Sequence, residues 1–494
     1  MMHFQAGSYL LCLLANLYFI SLCNYASGTT GSSSVLIIIR DQANDYHHKL
    51  ATAKKAELDT QIKAENLNAK VILMHEEYPV EGAWTILPVL PDIARKYADE
   101  FKWFMFIEEG TAVDIKQLTT SFLTKHDPSA FKLLCRCLHD NSPTIIHHFA
   151  FVNKAIKKFK YPDFDAGWIW STALLQKVAF NLTPETLESD FQIDTKHEIA
   201  MWLEEHHDLK VTCVKELCGG GENKKSCVTK FDKFLPDCGD KVTLDDVLVS
   251  VKTTLMFHKD RVPVVQKTWG KYVQNIRYYS NVTDLTIPTM DCGVPNTVSG
   301  HCGKMEKIIL DAYETSYDWL VIADDDSIIG VSKLLKLLNC YDPNRIIVLG
   351  ERYGFGLLSG YGYGYITGGG GMVMSRAAVR AWKNKGCHCP AIDSPDDMFL
   401  GQCFSLVVGV PVTHSPLFHQ ARPDDYADGY LGNQEPISFH KHWEVDPYEV
   451  YADWFAQEDK AMFAAPNVKP TEAPEPQVIP IPPTPTENQI KDEL

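Results

Sequence analysis

Trp319-Leu320-Val321-Ile322-Ala323-Asp324-Asp325-Asp326 is the stretch that decides how this chain is read. Its apolar run reads as a buried strand, and it stops abruptly in three aspartates. Adjacent carboxylates repel one another, and a core does not need them. A divalent cation would neutralise them and give them a purpose. For an isolated Asp-Asp-Asp the alternative is a solvated acidic turn. The flanking strand and the partners found elsewhere in the chain favour the cation.

An earlier stretch has the same build. Trp103-Phe104-Met105-Phe106-Ile107-Glu108-Glu109-Gly110-Thr111 parallels Trp319 to Ser327, with the same spacing from Trp to first acid. Further on, Ala166-Gly167-Trp168-Ile169-Trp170-Ser171 parallels Gly370-Gly371-Met372-Val373-Met374-Ser375. Two matches in the same order predict a duplication. The copies differ in chemistry: Gly110 stands where the second copy has Asp326, so the first has lost an anionic ligand. It is expected to be a non-catalytic copy.

The 494 residues allow two or three domains. A net charge of −16, from 47 basic and 63 acidic residues, with no basic block, argues against a nucleic-acid binder. Tyr9 to Cys23 is mostly apolar and is followed by small residues at Ala26-Ser27-Gly28, the pattern of a signal peptide over residues 1–28. The run falls short of the roughly 20 residues that span a bilayer, so no stable membrane span is expected. Lys491-Asp492-Glu493-Leu494 is the address read by the KDEL receptor, which predicts a soluble protein of the endoplasmic reticulum lumen.

Cysteine usage agrees. Of 14 cysteines, twelve lie beyond the signal segment, an even number that suggests disulfides in an oxidising compartment. The Cys-x-Cys pairs at 135/137 and 387/389 can also suggest metal or redox chemistry; disulfides to other partners are the expectation. Asn181 and Asn281 open N-glycosylation sequons, the first weakened by Pro184. Strands and amphipathic helices alternate over residues 29–212. A Cys/Gly-rich linker is expected over 213–242, a second α/β unit over 243–463, and a Pro-rich spacer over 464–494.

The second unit carries further chemistry. Pro395-Asp396-Asp397-Met398 supplies a second acidic pair. It also reads as a helix N-terminus, where the dipole favours acids. The two readings are compatible, because a helix start would fix a base rigidly. His419 follows an apolar segment; a lone His is more often structural, but an imidazole can complete the shell of a metal such as Mn²⁺. Thr367-Gly368-Gly369-Gly370-Gly371 lets the backbone approach a ligand closely. It matches neither a P-loop nor a dinucleotide-binding fingerprint.

With these residues the second half resembles the Fringe-type branch of the inverting beta-1,3-glycosyltransferases. Five segments match in order: Val251 to Thr254 with Phe257 to Arg261 and Thr268-Trp269; Asp324-Asp325-Asp326; Gly368 to Ser375; Pro395-Asp396-Asp397 with Gly401; and Ser415 to His419. The resemblance implies two tandem GT-A-like (Rossmann-like) α/β domains, the first degenerate. It implies a UDP-sugar donor held with Mn²⁺ by Asp326 and His419, with Asp324 and Asp325 on the ribose and metal waters. Asp397 would be the base, with Asp396 as second choice. Thr254 and Arg261 would lie near the uridine and diphosphate, and Gly369, Gly370 and Gly371 would line the donor sugar. Lys196-His197-Glu198 falls where the first half's base motif should be and lacks the Asp pair.

The two-part layout with a retention tetrapeptide resembles the branch members that work in the endoplasmic reticulum. Those add glucose from UDP-glucose to the 3-hydroxyl of O-linked fucose on folded thrombospondin type 1 repeats. A member using UDP-galactose or UDP-GlcNAc is the nearest alternative. A non-catalytic luminal glycan-binding or folding-sensor protein is the alternative from another class.

Overall fold

The computed structural model describes residues 33–147, 159–183, 186, 191–233, 235–360 and 362–463. The signal segment, the Pro-rich tail and the retention tetrapeptide lie outside them. Among the described residues, no helix is long and apolar enough to cross a membrane.

Two large mixed sheets organise the chain, and their strands are numbered together here. The first contains β1 (Val35–Arg40), β2 (Ala69–Leu73), β3 (Trp103–Glu108), β4 (Leu133–Cys135), β5 (Trp168–Ser171) and β6 (Thr212–Cys213). The second contains β7 (Val247–Lys252), β8 (Ile276–Ser280), β9 (Thr289–Asp291), β10 (Trp319–Asp324), β11 (Val348–Gly350), β12 (Met372–Ser375) and β13 (Thr413–His414). The first runs in the order β2-β1-β3-β5-β4-β6, and the second in the order β9-β8-β7-β10-β12-β11-β13. Without β9 the two orders coincide, β1 answering to β7, β3 to β10 and β5 to β12.

Directions and registers coincide too. Val35 sits opposite Trp103 as Val247 sits opposite Trp319, both across parallel pairs. Trp103 faces Ser171 as Trp319 faces Ser375, both across antiparallel pairs. A register slip of one residue would put each strand's apolar set on the wrong face, so shared register means shared core design. In both copies the serine ending the strand caps the next helix: Ser171 accepts from the Leu174 amide and Ser375 from the Ala378 amide. These caps start α1 (Thr172–Asn181) and α3 (Arg376–Asn384).

The helix before the last sheet strand also repeats. α2 (Thr195–His207) ends at Asp208 in the left-handed region, and β6 follows. α4 is Asp396–Gln402; it continues as a wider turn to Val408, ends at the left-handed Gly409, and leads to β13. Here α3 precedes α4 in the chain. Helix start and strand start are equally spaced in the two copies. Thr195 and Lys196 therefore stand where Asp396 and Asp397 stand.

Strands with buried faces on both sides read as continuous apolar runs. Val35 to Ile39 and Trp103 to Ile107 are fully buried, and Trp319 to Ala323 nearly so. Each sheet separates two apolar clusters, one on each face. The two halves are joined by a third, smaller sheet. Phe191–Gln192 of the first half pairs with Arg352–Phe355 of the second, which pairs in turn with Tyr363–Ile366.

The stretch expected to be a Cys/Gly-rich linker belongs in part to the first half. Leu217 and Val228 are buried in its core, and Thr229–Lys230 pairs with Ala112–Val113. Cysteines couple as Cys137–Cys213, Cys218–Cys227, Cys238–Cys340, Cys302–Cys389 and Cys387–Cys403. Cys135 and Cys292 remain buried thiols.

Candidate active site

The three aspartates sit where β10 ends, between β7 and β12. Parallel pairing sets Lys252 opposite Asp324. Lys252, only 5% exposed, reaches two acids: its Nζ is 2.9 Å from Asp324 Oδ1 and 2.6 Å from Asp396 Oδ2. One ammonium thus ties the end of the metal strand to the start of α4. Burial opposes ionisation of Asp396, but Lys252 outweighs it and holds that carboxyl below its ordinary range. Sequence reasoning gave Lys252 no role.

Asp325 turns inward. It accepts from Thr253 Oγ1 at 2.7 Å and meets Arg261 at 3.2 Å. Burial, then Asp326, push it up to about 7. Asp326 lies between Arg261 (3.0 Å) and His440 Nε2 (3.0 Å). Burial works against its charge, but His440 and then Arg261 hold it well below the usual carboxylate range. Arg261 also lies over the Phe257 ring at 3.7 Å. Thr254 donates to Asn281 Oδ1, which also accepts from the Leu255 amide.

His440 arrives by strand pairing, Ser327–Ile329 running antiparallel to Ser438–His440 with Ser327 opposite His440. Its Nδ1 donates to the Gln420 carbonyl at 2.9 Å, which turns Nε2 toward the aspartates. Asp324, Asp326 and His440 each offer a ligand atom, and the three atoms lie within 4.8 Å of one another. Two carboxylates and one oriented imidazole fit a divalent cation of the Mn²⁺ type.

This corrects the expectation for His419. That ring is fully buried; its Nδ1 faces the Ser438 carbonyl and its Nε2 the Gln434 side chain, both at 3.1 Å. It packs between Tyr426 and Phe439, and burial lowers its pKa to about 4. It is a core histidine that reaches the site only through its backbone, which lies 3.3 Å from where a Cβ on Gly370 would stand.

The glycine run closes the site's floor. A Cβ on Gly369 would stand 2.2 Å from His440 Nδ1, so only glycine admits that ring. Gly371 has φ +96°, which a side chain disfavours. Asp397 meets the same loop, accepting from the Gly368 amide at 3.3 Å and from its neighbour Met398 at 2.7 Å. Burial, then the charge on Asp396, push Asp397 up to about 7. The site thus holds one acid kept ionised by Lys252 beside another poised near neutrality, which is what a general base requires.

Of the sequon residues, Asn181 is exposed at the end of α1, where its side chain donates to the Lys177 carbonyl. Asn281 is half-buried beside Thr254. In the first half, Arg40 pairs with Glu108 as Lys252 pairs with Asp324, and Lys196 takes the place of Asp397.

Comparison with known proteins agrees with this geometry. A Fringe-like family model matches residues 242–462. The chain is 47% identical over 436 residues to the mouse beta-1,3-glucosyltransferase, covering 86% of this chain and 88% of that protein. It is 47% identical over 434 residues to the human beta-1,3-glucosyltransferase, covering 86% of each. Zebrafish (Danio rerio) beta-1,3-N-acetylglucosaminyltransferase lunatic fringe is 24% identical over 206 residues, 36% of this chain and 55% of that protein. The similarity to the glucosyltransferases therefore runs into the first half, whereas the similarity to fringe spans no more than the length of one copy.

Proposed function

The chain belongs to the Fringe-like beta-1,3-glycosyltransferases, alongside the mouse and human beta-1,3-glucosyltransferases, and from that premise we propose that it transfers glucose from UDP-glucose to the 3-hydroxyl of O-linked fucose on folded thrombospondin type 1 repeats, inverting the anomeric centre, in the lumen of the endoplasmic reticulum. The observation that carries the reading is the pairing of two acidic centres across one glycine loop. Asp324, Asp326 and His440 stand on one side, and Asp397 beside Gly368 on the other.

In this reading Asp397 takes the proton of the acceptor hydroxyl as its oxygen bonds to the anomeric carbon of glucose and the bond from that carbon to UDP breaks. Asp396, kept ionised by Lys252, holds its neighbour's affinity for a proton up near neutrality. Asp324, Asp326 and His440 would hold Mn²⁺, which when bound supplies positive charge for the leaving diphosphate. Arg261 supports the same anionic side from Asp325 and Asp326, and Gly369 to Gly371 leave room for the donor sugar.

The reading divides the chain into an inactive copy and a catalytic copy around the Cys/Gly-rich stretch, with a signal peptide before them and a tail that presents the address for the KDEL receptor. Only the full chain tests it, because the halves share a sheet. Purified protein with Mn²⁺ and an O-fucosylated thrombospondin type 1 repeat would be offered UDP-glucose, UDP-galactose and UDP-GlcNAc side by side, with Asp326→Asn as control. Transfer from UDP-glucose alone, lost in the control, is the expected result. Transfer from another donor would move the specificity and keep the chemistry. No transfer and no hydrolysis of any donor would leave a glycan-binding protein.

A further inference from the structure

The first half keeps a cavity where the second keeps its acidic centre. Its volume is about 310 Å³, room for about ten waters at roughly 30 Å³ each and within the range of small-molecule pockets. Arg40, Glu108, Glu109 and Lys196 line it from the first half. These positions answer to Lys252, Asp324, Asp325 and Asp397. Glu351 and Arg352 close it from the second half.

Duplication explains the cavity's place but not its preservation. A site that lost its chemistry would be expected to fill with apolar side chains, because unpaired polar groups withdrawn from water are costly. Here several survive. Glu109 Oε1, Arg40 Nε, Arg352 Nε and Asn433 Oδ1 are buried without a hydrogen-bond partner, and all four residues line the cavity. Arg352 lies 4.3 Å over the Trp84 ring and Arg40 4.6 Å over the Phe164 ring, so aromatic rings hold the two guanidiniums in place at the cavity.

The lining also says what does not enter. Gly110 removes the carboxylate answering to Asp326, so a diphosphate would find no cation bridge. Burial raises the carboxyls of Glu108, Glu109 and Glu351, the last to about 8, so the space disfavours further negative charge. Many hydroxyls on a compact ring answer that set of buried donors and acceptors. We propose that this cavity between the halves binds a neutral saccharide of one or two rings, reversibly and without turnover.

Of the second-half residues that line the cavity, Glu351 lies nearest in hydrogen bonds to the acidic centre. Glu351 accepts from the Gln420 amide; the Gln420 side chain accepts from the Gly370 amide at 3.2 Å, and its carbonyl accepts from His440 Nδ1 at 2.9 Å.

The test is saturation-transfer NMR on the full chain with glucose, fucose and a beta-1,3-linked glucosyl-fucose disaccharide. Saturating UDP and Mn²⁺ would occupy the donor side of the catalytic half, and the two cavity variants separate the cavity from its acceptor side. Expected is binding with a dissociation constant of about 1 mM or tighter, unchanged by UDP and Mn²⁺. Binding should weaken at least about tenfold in Thr195→Phe, which fills the cavity, and in the near-isosteric Glu109→Gln, with near-UV circular dichroism confirming native packing. Signals abolished by UDP and Mn²⁺ would assign the sugar to the catalytic half and overturn the proposal. So would signals intact in both folded variants, or none from any sugar at roughly 10 mM, the mark of a cavity filled by water alone. The outcome does not depend on which donor the catalytic half uses.

Discussion

Replacing Lys252 with methionine keeps most of the side chain's length and removes its charge from between two acids. Nζ lies 2.6 Å from Asp396 and 2.9 Å from Asp324, with the lysine side chain 5% exposed. Breaking a buried ion pair by deleting one partner costs about 3–5 kcal/mol, because the other charge stays behind. The Asp324 side chain is 26% exposed and water recovers part of its loss, whereas Asp396 at 12% recovers little. The lower end, about 3 kcal/mol, is therefore expected near neutral pH.

The sign of the pH dependence follows from Asp396. Lys252 depresses its folded pKa. The stabilisation is complete above the unfolded Asp value near ~3.9 and is lost as pH falls through the depressed folded value. In Lys252→Met the strongest opposition to burial is gone, so Asp396 takes up a proton at a higher pH than in wild type. The stability gap should be widest around pH 7, narrow as the pH falls toward 4, and close only below the depressed wild-type value. Urea denaturation followed by tryptophan fluorescence at pH 7.5, 5.5 and 4 measures it. A gap under about 1 kcal/mol at pH 7.5, or one that does not change with pH, would refute the bridging role.

Three further outcomes follow from the site. His440→Gln should weaken Mn²⁺ binding about tenfold or more, whereas His419→Gln should lower thermal stability and leave Mn²⁺ affinity unchanged; calorimetric titration separates them, and equal metal loss in both would restore His419 as a ligand. Asp397 must be ionised to act as base and its pKa is about 7, so kcat/KM should climb as pH rises through 7. Asp397→Asn should lose about 10²–10⁴-fold in transfer while still binding UDP, as steady-state rates and UDP titration would record. Gly369→Ala places a carbon 2.2 Å from His440 Nδ1 and should abolish metal-dependent donor hydrolysis with native circular dichroism; wild-type hydrolysis would mean that the ring has another place to go.

The duplicated α/β plan was legible because it lives in local patterns. Five apolar residues before an acid, and a serine ending a strand and capping a helix, recur at matching places, and the sheets pair in the register those patterns dictate. The acidic pair on α4 was legible for the same reason. His440 was not. It reaches Asp326 through two three-residue strands, Ser327–Ile329 and Ser438–His440, too short to carry a periodicity. The only local signal was an alternating His440-Lys441-His442 after an apolar strand end. Lys252 was hidden differently: its partners depend on which strand lies beside β7, which is a property of the sheet's order. His419 stood in a segment that matched, but its ring faces the core.

The small sheet joining the halves bears on how the chain is made. Phe191–Gln192 pairs in a sheet with Arg352–Phe355, so synthesis must add roughly 160 residues before that pair can close, about 8–30 s at roughly 5–20 residues per second. During that interval the first copy leaves the ribosome with an open strand edge, the template on which chains pair wrongly with one another. The catalytic copy, made second, closes that edge. A chain stopped before residue 352 would leave its first half unfinished and a ready target for chaperones.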